Sequence, residues 1–101
     1  MKKNINFIRN SDLELIFHEY TPGKLVEFIQ ATKIIVLEKN SQEAFRKEVG
    51  PGIVCMLLST KSKPGFVGFD GVEFELLHNE EIFLYYTTIN PFMLLKLNPN
   101  K

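Results

Sequence analysis

Residues 72–89 read VEFELLHNEEIFLYYTTI and carry the clearest structural signal in the chain. In 72–77, apolar residues alternate with glutamates, which predicts a strand with one buried face and one polar face. Residues 78–81 are polar and predict a turn, and 82–89 follow as a second apolar strand. Because the connection is too short for a parallel crossover, we expect the two strands to be antiparallel.

Short apolar runs predict further strands on both sides of this pair. They lie at 3–9, 34–37, 53–58, 66–69 and 92–97. The run 34–37 is rich in β-branched residues, so we expect a strand that is buried on both of its faces. Most connections are short, and the chain therefore predicts a mainly antiparallel sheet.

The segment 41–49 has the features of a helix. Asn40 can cap its first turn, and Glu43 lies three residues further on. Gly50 and Pro51 follow the segment in the order that typically ends a helix. We therefore predict a helix over 41–49.

Residues 11–32 leave helix and strand open. Ser11 and Glu14 have the S-x-x-E spacing of a capping box. Leu13 and Phe17 fit the period of a helix, but they also fit the alternation of a strand. The sequence does not decide between these two interpretations.

Length and composition indicate one globular domain. The chain has 101 residues, of which 45% are hydrophobic and 24% charged, close to globular averages. We predict a single α+β domain spanning 1–101, with the last few residues frayed. Its core is a mainly antiparallel sheet of about six strands with one or two helices packed on it.

The charge balance disfavours a general nucleic-acid binder. Twelve basic and twelve acidic residues give a formal net charge of zero, whereas such binders carry an excess of lysine and arginine. A neutral chain also experiences little repulsion between copies, so self-association is not electrostatically discouraged. The longest apolar stretch, 82–95, is interrupted by polar residues and falls short of the ~20 that a membrane helix needs.

Residues that could carry catalysis or bind a metal stand apart from one another. Cys55 is the only cysteine, and the residues around it in 53–57 are apolar, which predicts a buried free thiol. His18 and His78 lack the paired spacing of metal ligands. We predict no catalytic residue, no metal and no cofactor. One cysteine cannot form an internal disulfide, so nothing indicates an oxidising compartment. Together with the lack of a stretch long enough for a membrane helix, this leads us to expect a cytoplasmic protein without membrane contact.

An acidic block predicts a patch that could meet a basic partner. It consists of Asp70, Glu73, Glu75, Glu80 and Glu81. On a strand, Glu73 and Glu75 share one face about 7 Å apart. An alternative function follows from this pair: a small-ligand-binding or enzymatic site near Glu73, Glu75, His78 and Tyr85.

A second alternative is nucleic-acid binding through a few scattered cations. They are Lys61, Lys63 and the N-terminal Lys2, Lys3 and Arg9. Phe66 and Phe69 add aromatic rings near the first two, as in proteins that bind single strands. Two lysines are few for such a surface, so we do not expect nucleic acid as the partner.

The C-terminal region predicts an interaction surface, because aromatic residues and methionine are enriched at interface cores. The candidates are Phe83, Tyr85, Tyr86, Phe92 and Met93. In a strand over 82–89, the even-numbered and the odd-numbered residues are both mainly apolar, so both faces need a cover. One face can cover the core of the domain, and the helix or another chain must cover the second.

We therefore predict a non-enzymatic protein–protein interaction module that forms a homo-oligomer or docks on a larger protein. Lysine strongly outnumbers arginine, and isoleucine and asparagine are frequent, as expected from an AT-rich genome. A small structural or inhibitory protein of a phage or mobile element fits this composition.

Overall fold

The structure, a computed structural model, describes residues 7–37, 44–65 and 69–98. This part of the chain contains one α-helix, α1 (Asn10–Glu19), and a short 3₁₀ turn (Pro91–Met93). The strands are β1 (Leu25–Phe28), β2 (Thr32–Leu37), β3 (Ala44–Val49), β4 (Val54–Pro64), β5 (Asp70–His78), β6 (Glu81–Thr87) and β7 (Leu95–Asn98).

The described strands form one sheet with the order β3-β2-β6-β5-β4-β1-β7. All of the strand pairs in it are antiparallel. The predicted pair over 72–89 forms β5 and β6, which lie near its centre. The mainly antiparallel sheet is thus confirmed, with seven strands rather than about six in the described part of the chain.

Successive side chains along each strand point to opposite sides, so the sheet has an inner and an outer face. The hydrophobic core lies on the inner face. Helix α1 lies on the inner side, and its Ile16 is fully buried. Just after the helix, Tyr20 packs its ring edge-on against Phe74 at 5.2 Å, and its hydroxyl donates to the Leu95 carbonyl oxygen at 2.6 Å. These contacts join the end of α1 to β5 and β7.

Within 11–32, the helical interpretation is correct only for the first part, which forms α1, whereas the second part forms the strand β1 and the start of β2. The cap of the helix also differs. The helix starts two residues earlier than the capping pattern indicates, and the Asp12 carboxylate accepts a hydrogen bond from the Arg9 backbone N–H at 2.9 Å. Ser11 therefore lies inside the first turn. Among the described residues, no helix combines the length and apolar character needed to cross a membrane.

The helix predicted over 41–49 is wrong where the structure describes it, because 44–49 form the edge strand β3. Residues 38–43 lie outside the described residues. β3 pairs with β2 along its whole length, from Ala44 opposite Leu37 to Val49 opposite Thr32. A helix here would bury only a narrow apolar stripe and would leave one edge of β2 unpaired, whereas the strand pairs with that edge along six residues. Tertiary pairing therefore overrides the local helix signals.

The strand predicted at 34–37 is confirmed within β2, but it is buried on one face only. Ile34 and Val36 point inward and are 2% and 1% exposed, whereas Ile35 and Leu37 point outward and are 38% and 36% exposed. The described part of the chain covers the inner face of the sheet, and the outer face stays open at this strand.

Three further predicted strands are reduced or only partly described. Within 3–9, Phe7 forms an isolated bridge with Ile89, and 3–6 lie outside the described residues. Within 66–69, only Phe69 is described, and it lies before the start of β5. The strand predicted over 92–97 starts at Leu95, because Pro91 begins a 3₁₀ turn.

The turn between β5 and β6 holds two residues in the left-handed region. Asn79 and Glu80 have φ angles of 50° and 67°. Asparagine tolerates this region, whereas a glutamate there is strained by roughly 1–2 kcal/mol. We expect Glu80→Gly to raise the free energy of unfolding by about 0.5–1 kcal/mol, since glycine also adds entropy to the unfolded chain.

Urea denaturation measures this gain directly. Asn79→Gly is the matched control and should change the stability less, because asparagine already accepts a positive φ. Equal or lower stability of Glu80→Gly would show that the turn is not strained.

Candidate interaction surface

An apolar row crosses five neighbouring strands on the outer face. Leu37 lies opposite Ile82, and Ile82 lies opposite Leu77. Leu77 lies opposite Met56, which in turn lies opposite Leu25. Met56 and Leu37 are 41% and 36% exposed, and the other three are half-buried. Since strands lie about 4.8 Å apart, this apolar row is about 19 Å long.

A second row runs beside the apolar row, one outer position further along the strands. Ile35 and Leu84 lie opposite each other in its middle, on β2 and β6. Arg46 adjoins Ile35 on β3, and Glu75 adjoins Leu84 on β5. The Glu75 carboxylate accepts a hydrogen bond from the Ser59 hydroxyl at 3.1 Å. The second row therefore has an apolar middle, a cation at one end and a carboxylate at the other.

A shallow groove of about 200 Å³ lies over the middle of the second row. Lys33 and Arg46, on β2 and β3, form one wall. Tyr86 and Glu73, on β6 and β5, form the opposite wall. The two walls thus differ in character, since one is cationic and the other is aromatic and acidic.

The Tyr86 side chain is exposed but held in place. Its hydroxyl donates to the Pro64 carbonyl oxygen at 2.7 Å. Its ring covers Gly71, where any added Cβ would overlap the ring. An aromatic side chain that is already ordered loses little conformational entropy when a partner covers it.

The five predicted interface residues lie in three different places. Phe83 and Tyr85 face inward and are 1% and 5% exposed, so they belong to the core. Tyr86 is on the outer face and is 46% exposed. Phe92 and Met93 lie in the 3₁₀ turn, where they are 37% and 44% exposed. Of the five, only Tyr86 joins the surface that contains the apolar row.

The acidic residues predicted as one patch are separated by the fold. Glu73 and Glu75 share the outer face, as predicted. Glu81 lies on the inner side, with its carboxylate 3.8 Å from the Lys47 ammonium group. Glu80 occupies the turn, and Asp70 begins β5.

The alternative ligand or enzymatic site is also not assembled, because its members lie on opposite faces of β5 and β6. Glu73 and Glu75 point outward. His78 points inward, with its ring 5.8 Å from that of Phe83, and Tyr85 is buried in the core. Among the described residues, no group of three histidines, cysteines or acids is placed to hold a metal ion.

Cys55 is a buried free thiol, as predicted, on the inner face of β4. Burial raises the pKa of the Cys55 thiol to about 11. The thiolate, which is the nucleophilic form, is therefore disfavoured near neutral pH.

The cations of the nucleic-acid alternative also lie apart. Lys61 and Lys63 follow the outer face of β4, where Lys61 lies opposite Glu73 and the Lys63 ammonium is 3.7 Å from the Glu73 carboxylate. Arg9 caps α1, and Phe69 packs against Phe7 with ring centroids 4.8 Å apart. Lys2, Lys3 and Phe66 lie outside the described residues.

Sequence reasoning missed the apolar row, although two of its members had a local signal. Leu77 and Ile82 occupy the positions of β5 and β6 that alternate with the core residues. The other three come from strands that are distant in sequence, so nothing local predicts that they are neighbours. The combined surface is mainly apolar in its middle and lies on the open face of the sheet. Comparison of the chain with protein-family models, with curated proteins and with solved structures finds no match.

Proposed function

We propose that this protein is a non-enzymatic protein–protein interaction module that self-associates through the outer face of its sheet. The observation that carries the proposal is the apolar row of Leu25, Leu37, Met56, Leu77 and Ile82. In an antiparallel sheet with one solvated face, the residues on that face are usually polar, whereas the residues on the core face are apolar. A continuous apolar row on the outer face therefore favours a surface that a partner covers.

The faces of the sheet are better suited to association than its edges. The edge strand β3 exposes Arg46, Lys47 and Glu48, and charged side chains at an edge discourage strand-to-strand pairing. The opposite edge, β7, has four residues and includes the exposed Lys96. Short, charged edges favour contact through the face.

A second copy of the chain is the partner that the charge best fits. The formal net charge is zero, so two copies meet without net repulsion. A two-fold dimer, in which the same patch meets itself, is also the commonest assembly of soluble proteins. The strands β3, β2, β6 and β5, counted at about six residues each, span about 19 by 20 Å, which is roughly 400 Å² on each copy and 800 Å² in total. This total is below the ~1,200–2,000 Å² of standard specific interfaces and in the range of weak ones. We therefore expect a dimer that dissociates on dilution.

Sedimentation velocity across about 1 μM to 1 mM protein tests the proposal. We expect the mass to rise from that of one chain to that of two. Ile35→Lys places a charge in the middle of the outer face at a position that is 38% exposed. It should abolish the dimer at all of these concentrations, because the buried charge would lack a partner.

Leu15→Lys is the matched control, because it makes a similar change at a 54% exposed position on α1. This variant should dimerise like the unmodified protein, and thermal unfolding verifies that both variants are folded. A protein that stays monomeric at 1 mM, or an Ile35→Lys variant that still dimerises, would refute the proposal.

A further inference from the structure

We infer that the two copies meet about a two-fold axis that runs along the groove between β2 and β6, with Arg46 of each copy paired to Glu75 of the other. The inference rests on the proposed function and specifies its geometry. It concerns the side chains that set the register of the dimer, which the apolar row alone leaves undetermined.

The different walls of the groove lead to this axis. A two-fold axis parallel to the strands, between β2 and β6, places β2 over β6 of the second copy and β3 over β5 of the second copy. The cationic wall of one copy, Lys33 and Arg46, then lies over the aromatic and acidic wall of the other. A single rotation makes the surface complementary to itself, as an isologous interface requires.

The same axis matches the apolar positions. In the second row, Ile35 lies over Leu84 of the second copy. In the apolar row, Leu37 lies over Ile82 of the second copy and Leu77 lies over Ala44 of the second copy, whereas Met56 and Leu25, on β4 and β1, extend beyond the contact. Within one chain, Ile35 is the Cα partner of Leu84 and Leu37 is the Cα partner of Ile82. Because the two members of each pair lie at the same height along neighbouring strands, the rotation places each one over the other member in the second copy. The centre of the contact is therefore apolar on both sides, as in the core of an interface.

The charged ends of the second row meet across the axis. Arg46 is on β3 and Glu75 is on β5, and each of these is the second strand from the axis. Packed sheets lie about 10 Å apart, a gap that an arginine side chain bridges together with a glutamate. On the neighbouring outer positions, Lys33 approaches the ring of Tyr86 of the second copy, which suits a cation–π contact.

One contact in this arrangement brings together like charges. Glu48, on β3, lies over Glu73 of the second copy. Within its own chain Glu73 faces Lys61 and lies 3.7 Å from the Lys63 ammonium, so its charge is already offset. The arrangement therefore has two Arg46–Glu75 pairs and no uncompensated acidic pair.

Charge exchange between two variants tests the inference. Arg46→Glu alone puts two glutamates together in each contact, and Glu75→Arg alone puts two arginines together. We expect each variant alone to have a dimer dissociation constant raised at least about tenfold. An equimolar mixture should recover the affinity of the unmodified protein, because a heterodimer of the two variants restores both pairs.

Lys96→Glu is the matched control, since it makes the same kind of change at an exposed outer position on β7, far from the axis. It should leave the dissociation constant within about twofold. If Ile35→Lys abolishes the dimer but the mixture fails to recover, this axis is wrong and the proposed function stands. If the unmodified protein never dimerises, the proposed function fails as well.

Discussion

Phe74→Ala is expected to lower the free energy of unfolding by about 3–5 kcal/mol. Phe74 is fully buried at the centre of the sheet, on β5. Its ring packs edge-on against Tyr20 at 5.2 Å and stacks on Tyr85 at 6.3 Å. Truncation removes both ring contacts and leaves a cavity between α1 and the sheet. Urea denaturation followed by circular dichroism measures the loss.

Phe45→Ala is the matched control for this prediction. Phe45 lies on the edge strand β3 and is 44% exposed, so the same truncation removes little buried surface. It should cost less than about 1 kcal/mol. Similar losses for the two variants would mean that Tyr20 and Phe74 do not form the centre of the core.

High pH is expected to destabilise the protein through three buried acids. Burial raises the pKa of the Cys55 thiol from 9.0 to about 11. Burial also raises the pKa values of Tyr20 and Tyr85 above their ordinary 10.0, and the charge of Glu19 adds to the shift at Tyr20. Below pH 9 these groups are protonated in both the folded and the unfolded chain, so the stability they contribute is fully present.

Stability should fall as the pH rises from 9, because the unfolded chain releases protons that the folded chain retains. Each group contributes a loss of up to about 1.4 kcal/mol per pH unit until its folded pKa is passed. Between pH 9 and 11 Cys55 alone contributes a loss of about 2 kcal/mol, and the two tyrosines add to this loss above pH 10. The loss from Cys55 is already a large fraction of the ~5–15 kcal/mol stability of a small domain.

Urea midpoints measured from pH 8 to 11 test this profile. In Cys55→Ala the decline should begin near pH 10 instead of pH 9, since only the tyrosines remain. An unchanged onset in that variant would show that the thiol does not cause the first part of the loss.

Local patterns predicted the central pair of strands and the separation of its faces. In β5, Val72, Phe74 and Leu76 alternate with two glutamates. A period of two residues indicates a strand with one buried face and one polar face. In the structure the odd-numbered Phe83 and Tyr85 face inward, whereas Tyr86 faces outward. The turn at residues 79 and 80 was also predicted from its polar composition.

Other elements depended on contacts that local patterns do not contain. The segment over 44–49 has a helix-like sequence, but it pairs with the edge of β2 along all six residues. The segment from residue 11 fits both periods, and contacts such as that between Tyr20 and Phe74 accompany its helical form. In both cases the decision lies with residues that are distant in sequence.

Local patterns and composition are enough to predict the antiparallel pair at the centre, the buried cysteine and the neutral charge. Which apolar face stays open depends on where α1 packs and on the order of the strands, and neither of these can be derived from local patterns. Leu25, Leu37 and Met56 become neighbours of Leu77 and Ile82 through pairings between strands that are far apart in the chain. The surface for which we propose self-association exists only once those long-range pairings have formed.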